Sequence, residues 1–143
     1  MELDIYQVDS FTTETFKGNP AGVCITDQPL EESLMFAIAA EMAVSETAFL
    51  SLSDMRLRWF TPEVEVKLCG HGTLAVAHVL KQQAKIATGD SITFNTLSGL
   101  LSVKVLSSTY ELDFPAPELE YNQHCSEERL RALGLSEQQV VSY

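Results

Sequence analysis

One run of eight residues restricts the fold more than any other: Thr73-Leu-Ala-Val-Ala-His-Val-Leu80 is apolar on nearly every side, and Lys81 and Lys85 appear only near its carboxyl end. A helix with no polar face has to be enclosed by the rest of the protein. The remainder of the chain must therefore supply its wrapping. A length of 143 residues lies within the usual range of one domain, roughly 100 to 200 residues, so a single core can form around that helix.

The wrapping reads as strands. Residues 3–8 alternate as a first strand, and Lys17-Gly-Asn-Pro-Ala-Gly22 has the glycine, asparagine and proline of a loop. Residues 23–26 form a short buried strand. A helix over residues 29–43 is predicted from Pro29 at its first position, Glu31 and Glu32 near its amino end, and Leu30, Leu34, Ile38 and Met42 four apart. Residues 45–52, 56–60 and 63–68 read as strands, the last with Val64, Val66 and Leu68 on a buried face. After the apolar helix, residues 91–94, 100–106 and 109–114 are joined by short turns, as in antiparallel hairpins. The fold class expected is α+β: an antiparallel sheet rolled around the central apolar helix, with the 29–43 helix outside.

Pro115 and Pro117 break the last strand, Ser126 caps a short helix that runs to Leu133, and Gly134 ends it. Val140-Val141-Ser-Tyr143 resembles the opening of another strand. The division predicted is an amino-terminal domain over residues 1–115 and a crossover segment over residues 116–143 leading toward a second domain.

Charge narrows the function. A formal net charge of −11 repels nucleic acid and anionic membrane surfaces, and the nine basic residues form no cluster. An anionic substrate would need local capture, for instance at a helix amino terminus. Cys24, Cys69 and Cys125 have no pairing pattern and read as reduced thiols. No secretory leader or membrane span is legible, so a cytoplasmic location is expected.

Cys69-Gly-His-Gly-Thr73 lies between a strand and the amino end of the buried helix, where open backbone N–H groups and the helix dipole favour an anion. A tight turn alone accounts for its glycines equally well. Gly70-His-Gly-Thr-Leu-Ala75, with Asp90 further on, also fits a dinucleotide-binding turn, which requires a parallel sheet. In Ser45-Glu-Thr-Ala-Phe49, Glu46 is in phase with Ala48 and Leu50, as a general acid or base on an apolar strand face would be, although a solvated strand-end glutamate fits too. Cys69 reads as either a thiolate activated by the helix end and His71 or small packing material. His78 reads as a satisfied core histidine. No metal site is expected, because Cys69 with His71, or His124 with Cys125, supplies too few ligands.

Gly18-Asn-Pro-Ala-Gly22, Ser45-Glu-Thr-Ala-Phe49, Arg58-Trp-Phe-Thr-Pro-Glu-Val-Glu-Val66 and Cys69-Gly-His-Gly-Thr73 occur in this order, and with them the chain resembles the phenazine-biosynthesis PhzF-like isomerases over the first of their two pseudo-symmetric halves. The resemblance implies half of a diaminopimelate-epimerase-like fold, with the active site in the cleft between halves. It implies no cofactor and a small anionic substrate. By the same resemblance Glu46 is the proton shuttle and His71 its assistant. Gly70, Gly72 and Thr73 present N–H groups to a carboxylate or oxyanion, and Asn19, Ser45 and Cys69 line the cleft. Cys69-Gly70 also matches the cysteine motif of two-base epimerases and racemases, which keeps that reaction open beside a non-catalytic binding or assembly module. The second wall would come from a carboxyl-terminal half or from a second copy in a homo-oligomer.

Overall fold

In the computed structural model, which describes residues 2–116, 118 and 126–136, strand β3 (Thr47–Ser51) is buried along its whole length and serves two cores. Ala48 and Leu50 join a core formed with the apolar helix, while Phe49 joins a second core with Met35 and Ala39 of the outer helix. The two-residue alternation of a strand produces this division. Its neighbours repeat it, with Ala21, Val23, Leu57 and Trp59 on the inner side and Cys24 and Phe60 on the outer.

In chain order the elements are β1 (Ile5–Ser10), β2 (Asn19–Thr26), α1 (Glu32–Met42), β3, β4 (Arg56–Phe60), β5 (Glu65–Val66), α2 (Gly70–Gln82), β6 (Ser91–Thr96), β7 (Gly99–Val105), β8 (Tyr110–Asp113) and α3 (Glu127–Ala132). The sheet runs β1-β2-β3-β4-β6-β7-β8, and β5 pairs with β4. Helix α2 touches β1 at one edge of this order and β8 at the other, as well as β2, β3 and β7. A sheet that reaches one helix from both edges is curled around it, as the apolar run requires.

The α+β class is as expected, and several details differ. Two neighbouring pairs in the sheet are parallel: β2 with β3, where α1 makes the crossover, and β4 with β6 through Arg56 and Asn95. The Gly18-Asn-Pro-Ala-Gly22 run is not all loop, because β2 begins at Asn19 and Pro20 lies opposite Asp9 in β1. Proline is tolerated there because β2 pairs with β3 only from Gly22 onward, so at Pro20 the strand has a neighbour on one side alone. Helix α1 starts at Glu32 rather than Pro29 and ends at a left-handed Ala43 (φ 52°). The residues Leu30, Leu34, Ile38 and Met42 lie half-buried at the margin of its buried stripe, whose centre is Met35 and Ala39.

The strand expected over 63–68 shrinks to β5, and Val64 and Leu68 are 55% and 41% exposed. An ion pair holds it instead. Arg58 Nε and Nη2 donate to Glu65 at 2.6 Å each, and Nη2 also donates to Glu32 of α1 at 2.6 Å. The two carboxylates hold the guanidinium well above its ordinary pKa, the Glu65 hydrogen bond contributing most.

The predicted hairpins form between β6 and β7 and between β7 and β8. Ser126 caps α3 by accepting the Arg129 amide at 3.3 Å, and Gly134 adopts φ 68°. The strand expected over 140–143, His124, Cys125 and most of the 116–143 crossover lie outside the described residues.

Candidate active site

Helix α2 begins one turn before the apolar run, with Cys69 in extended backbone as its N-cap and Gly70, His71 and Gly72 as its first turn. Cys69 and His71 are therefore carried on the same turn, and the thiol Sγ lies 3.4 Å from His71 Nδ1. On the other side of the ring, Nε2 lies 3.4 Å from Glu46 Oε2 and 3.3 Å from Ser45 Oγ. Glu46 arrives there because its phase with Ala48 and Leu50 points it to the α2 side of the sheet.

The backbone around the pair is braced. Ser10 at the end of β1 is buried and donates its hydroxyl to the His71 carbonyl at 2.8 Å. The Gly22 amide donates to the Glu46 carbonyl at 3.1 Å. The His71 and Glu46 side chains remain 11% and 23% exposed, so one side of the pair opens to solvent.

Burial pushes the Cys69 thiol up to about 11; the nearby Glu46 carboxylate acts in the same direction, and the Gly72 amide opposes them. The activated-thiolate reading of Cys69 is thereby corrected: desolvation outweighs the helix end. The His71 ring thus bridges the Cys69 thiol on its Nδ1 side and the Glu46 carboxylate and Ser45 hydroxyl on its Nε2 side, and its tautomer sets which partner donates at each contact. The arrangement is a chain of polarised hydrogen bonds ending on a carboxylate that faces solvent.

The remaining predicted residues fall into different positions. The Thr73 amide donates to the Cys69 carbonyl at 3.1 Å, and its hydroxyl does the same at 2.6 Å. Thr73 is fully buried and its N–H is committed to the helix, which corrects the expectation that it serves a substrate. No described hydrogen bond takes the Gly70 or His71 amides, so these two carry the anion-binding capacity of the helix end. Gly72 is needed for close approach: a Cβ there would lie 3.0 Å from both Cys69 Sγ and Trp59 Cδ1. Asn19 is exposed at the start of β2, opposite Ser10, with no described contact to the pair.

His78 is satisfied as expected, with Nδ1 3.0 Å from the Tyr110 hydroxyl. The dinucleotide reading fails, because β5 before the glycines pairs antiparallel with β4, and Asp90 binds its own loop through the Ala87 amide at 2.7 Å. Ser10 was not singled out in the sequence. Its role rests on a contact to a backbone carbonyl, which leaves no trace in residue type or spacing.

The phenazine biosynthesis-like protein family, PhzC-PhzF, matches residues 8–141. An isomerase of Halalkalibacterium halodurans, its reaction uncharacterised, is 43% identical over 94% of this chain and 52% of its own length. A comparable uncharacterised isomerase of Pseudomonas aeruginosa is 46% identical over 99% of this chain and 54% of its own. Among solved structures, a phenazine biosynthesis protein of the PhzF family from Enterococcus faecalis superposes with a TM-score of 0.80 at 43% identity, over 94% of this chain and 52% of that one. A predicted epimerase of Pseudomonas aeruginosa gives a TM-score of 0.61 at 26% identity, over 76% of this chain and 41% of that one. The chain thus spans about half the length of the curated relatives it matches. With the motif residues gathered at one end of the enclosed helix and a family match along nearly all its length, this chain belongs to the phenazine biosynthesis-like PhzC/PhzF family.

Proposed function

We propose that this chain supplies one wall of a cofactor-independent isomerase site, in which Glu46 moves a proton between two positions of a small carboxylate-bearing metabolite and His71 assists. The observation that carries this reading is the Glu46–His71 pair, 3.4 Å apart and open to solvent on one side, beside the amino end of α2.

The chemistry follows from the arrangement. Glu46 as carboxylate takes a proton from a substrate carbon, and the electron pair moves into the adjoining π system. The Gly70 and His71 amides stabilise the substrate carboxylate or the developing oxyanion. Glu46, now the acid, returns the proton at a second carbon. His71 Nε2–H holds the carboxylate in place and shares its charge between transfers. Asn19 and Ser45 line the same cleft in this reading.

The two-base epimerase alternative draws support from the predicted epimerase among the structural relatives. It requires Cys69 as a base, and a thiol pushed up to about 11 is a poor one near neutral pH. The second wall is contributed by a carboxyl-terminal half or by a second copy of the chain, in a cytoplasmic assembly. A binding or assembly module without catalysis is the reading left if proton transfer fails.

The test is solvent deuterium wash-in, followed by NMR, on a panel of small carboxylates that includes dihydro-hydroxyanthranilate. Wild-type chain incorporates deuterium at carbon, and Glu46→Gln lowers the rate by roughly a hundredfold or more. Cys69→Ser lowers it less than Glu46→Gln does. Unchanged exchange in Glu46→Gln overturns the assignment, and a loss confined to Cys69→Ser transfers it to the thiol.

A further inference from the structure

Glu46, Cys69 and His71 bring a carboxylate oxygen, a thiol sulfur and an imidazole nitrogen within 4.8 Å of one another. Counting ligands along the sequence does not bring the three together, because Glu46 immediately precedes β3 whereas Cys69 and His71 lie at the start of α2. We infer that these three side chains form a binding site for a thiophilic divalent cation of the zinc class, and that its occupancy withdraws Glu46 from proton transfer.

The donor geometry supports the inference. Sulfur at about 2.3 Å and nitrogen at about 2.0 Å on a tetrahedral ion lie roughly 3.5 Å from each other. Cys69 Sγ and His71 Nδ1 are already 3.4 Å apart, the separation that two ligands of one such ion have. A Glu46 carboxylate oxygen, 3.4 Å from the opposite ring nitrogen, lies within 4.8 Å of the other two donor atoms and has to close that gap to join them on one ion. A fourth position remains on the open side of the pair for water or a substrate carboxylate.

The supports that brace the pair also pre-arrange the ligands. Ser10 fixes the His71 carbonyl at 2.8 Å, and the Gly22 amide fixes that of Glu46 at 3.1 Å. A sulfur, nitrogen and oxygen donor set selects zinc-like ions over magnesium or calcium, which take oxygen ligands. On binding, the Cys69 thiol releases its proton to solvent and the sulfur's electron pair goes to the metal; nothing is oxidised or reduced. Once coordinated, the Glu46 oxygen cannot accept a proton from carbon. That consequence rests on the proton-transfer reading above, whereas the binding itself does not.

The test is titration of the metal-free chain with Co2+, followed by the thiolate-to-cobalt charge-transfer band in the near ultraviolet. The expected result is a band that saturates at about one cobalt per chain, is displaced by Zn2+ and is absent in Cys69→Ser. Glu46→Gln keeps the band but saturates at higher cobalt, since one of three ligands is lost. The Cys24→Ser/Cys125→Ser double variant, in which Cys69 is the remaining thiol, keeps the band, so the result does not depend on the folding of Cys69→Ser. No band in wild type, a band that survives Cys69→Ser, or loss of the band in the double variant overturns the site. The titration needs no substrate. A cobalt band without Glu46-dependent exchange refutes only the proton-transfer reading, and the reverse pattern refutes only the metal site.

Discussion

Removing the thiol in Cys69→Ala takes away the one hydrogen-bond partner of His71 Nδ1 among the described residues. The ring then loses the contact on its Nδ1 side that distinguishes its two nitrogens. If the thiol donates to Nδ1, the expected 15N shifts of His71 in wild-type chain are those of a ring with its proton on Nε2. Cys69→Ala moves both toward averaged values, and Cys69→Ser, which keeps a donor, restores the wild-type pattern. Identical shifts in all three would mean that sulfur does not set the tautomer. The same thiol makes stability depend on alkaline pH. Its folded-state value of about 11 stands above the ordinary 9.0, so the protonated form is favoured in the folded chain. The contribution is complete below pH 9 and is lost as pH rises toward 11, amounting to roughly 2 to 3 kcal/mol in denaturant titrations. Burial raises the Cys24 thiol too and adds to this loss. At this scale strand phase left Glu46 open between a proton-transfer group and a solvated strand end, and the roles of Glu46 and His71 came from the motif resemblance; the structure brings the two side chains within 3.4 Å of each other. The sequence carried nothing of Ser10, and it misassigned Thr73, whose amide depends on where the helix begins.

Between β2 and β3 the parallel pairing is tight at one point. A Cβ on Gly22 would lie 2.7 Å from Thr47 Oγ1 and 2.9 Å from its Cγ2, and the Gly22 amide holds the Glu46 carbonyl. Gly22→Ala is expected to destabilise the chain by about 1 to 3 kcal/mol and to slow deuterium wash-in, because it moves the strand that carries Glu46. Thr47 Oγ1 is itself buried with no hydrogen-bond partner. Thr47→Val removes that hydroxyl and is expected to raise stability by about 1 kcal/mol, with wash-in unchanged; a lower melting midpoint would reveal a partner for the oxygen. These elements differed in legibility for physical reasons. The helix enclosed by the sheet and the closing hairpins were readable because local pattern fixes them. Asn-Pro-Ala-Gly looked like loop by composition, yet strand pairing with β1 overrode propensity. The 63–68 alternation was real in sequence, but only Glu65 and Val66 pair with β4, where Val66 packs on the main core and Glu65 binds Arg58, while Val64 and Leu68 stay exposed.

The sheet curls around α2 without β1 meeting β8, and a groove of about 1040 Å³ runs between the two edges. Leu74, His78 and Gln82, four apart on α2, form its floor, with Tyr6, Val8 and Tyr110 on its sides. Among the described residues no strand pairs with the outer edge of β1 or of β8, an arrangement that invites pairing with another chain, while a net charge of −11 opposes it. Self-association in sedimentation is therefore expected to rise with added salt, as screening weakens the repulsion. A mass that stays monomeric at every salt and chain concentration would point away from pairing between copies. The curl also determines when the pair at the end of α2 can exist. Ser10 reaches His71 across 61 positions of sequence and Ser45 reaches it across 26. Contacts of such separation form only after the intervening loops close, which places them late in folding and makes high-contact-order domains slow. No stretch of this chain short enough to fold quickly holds Ser10, Glu46 and His71 together, so the polarised pair is a marker of the finished fold.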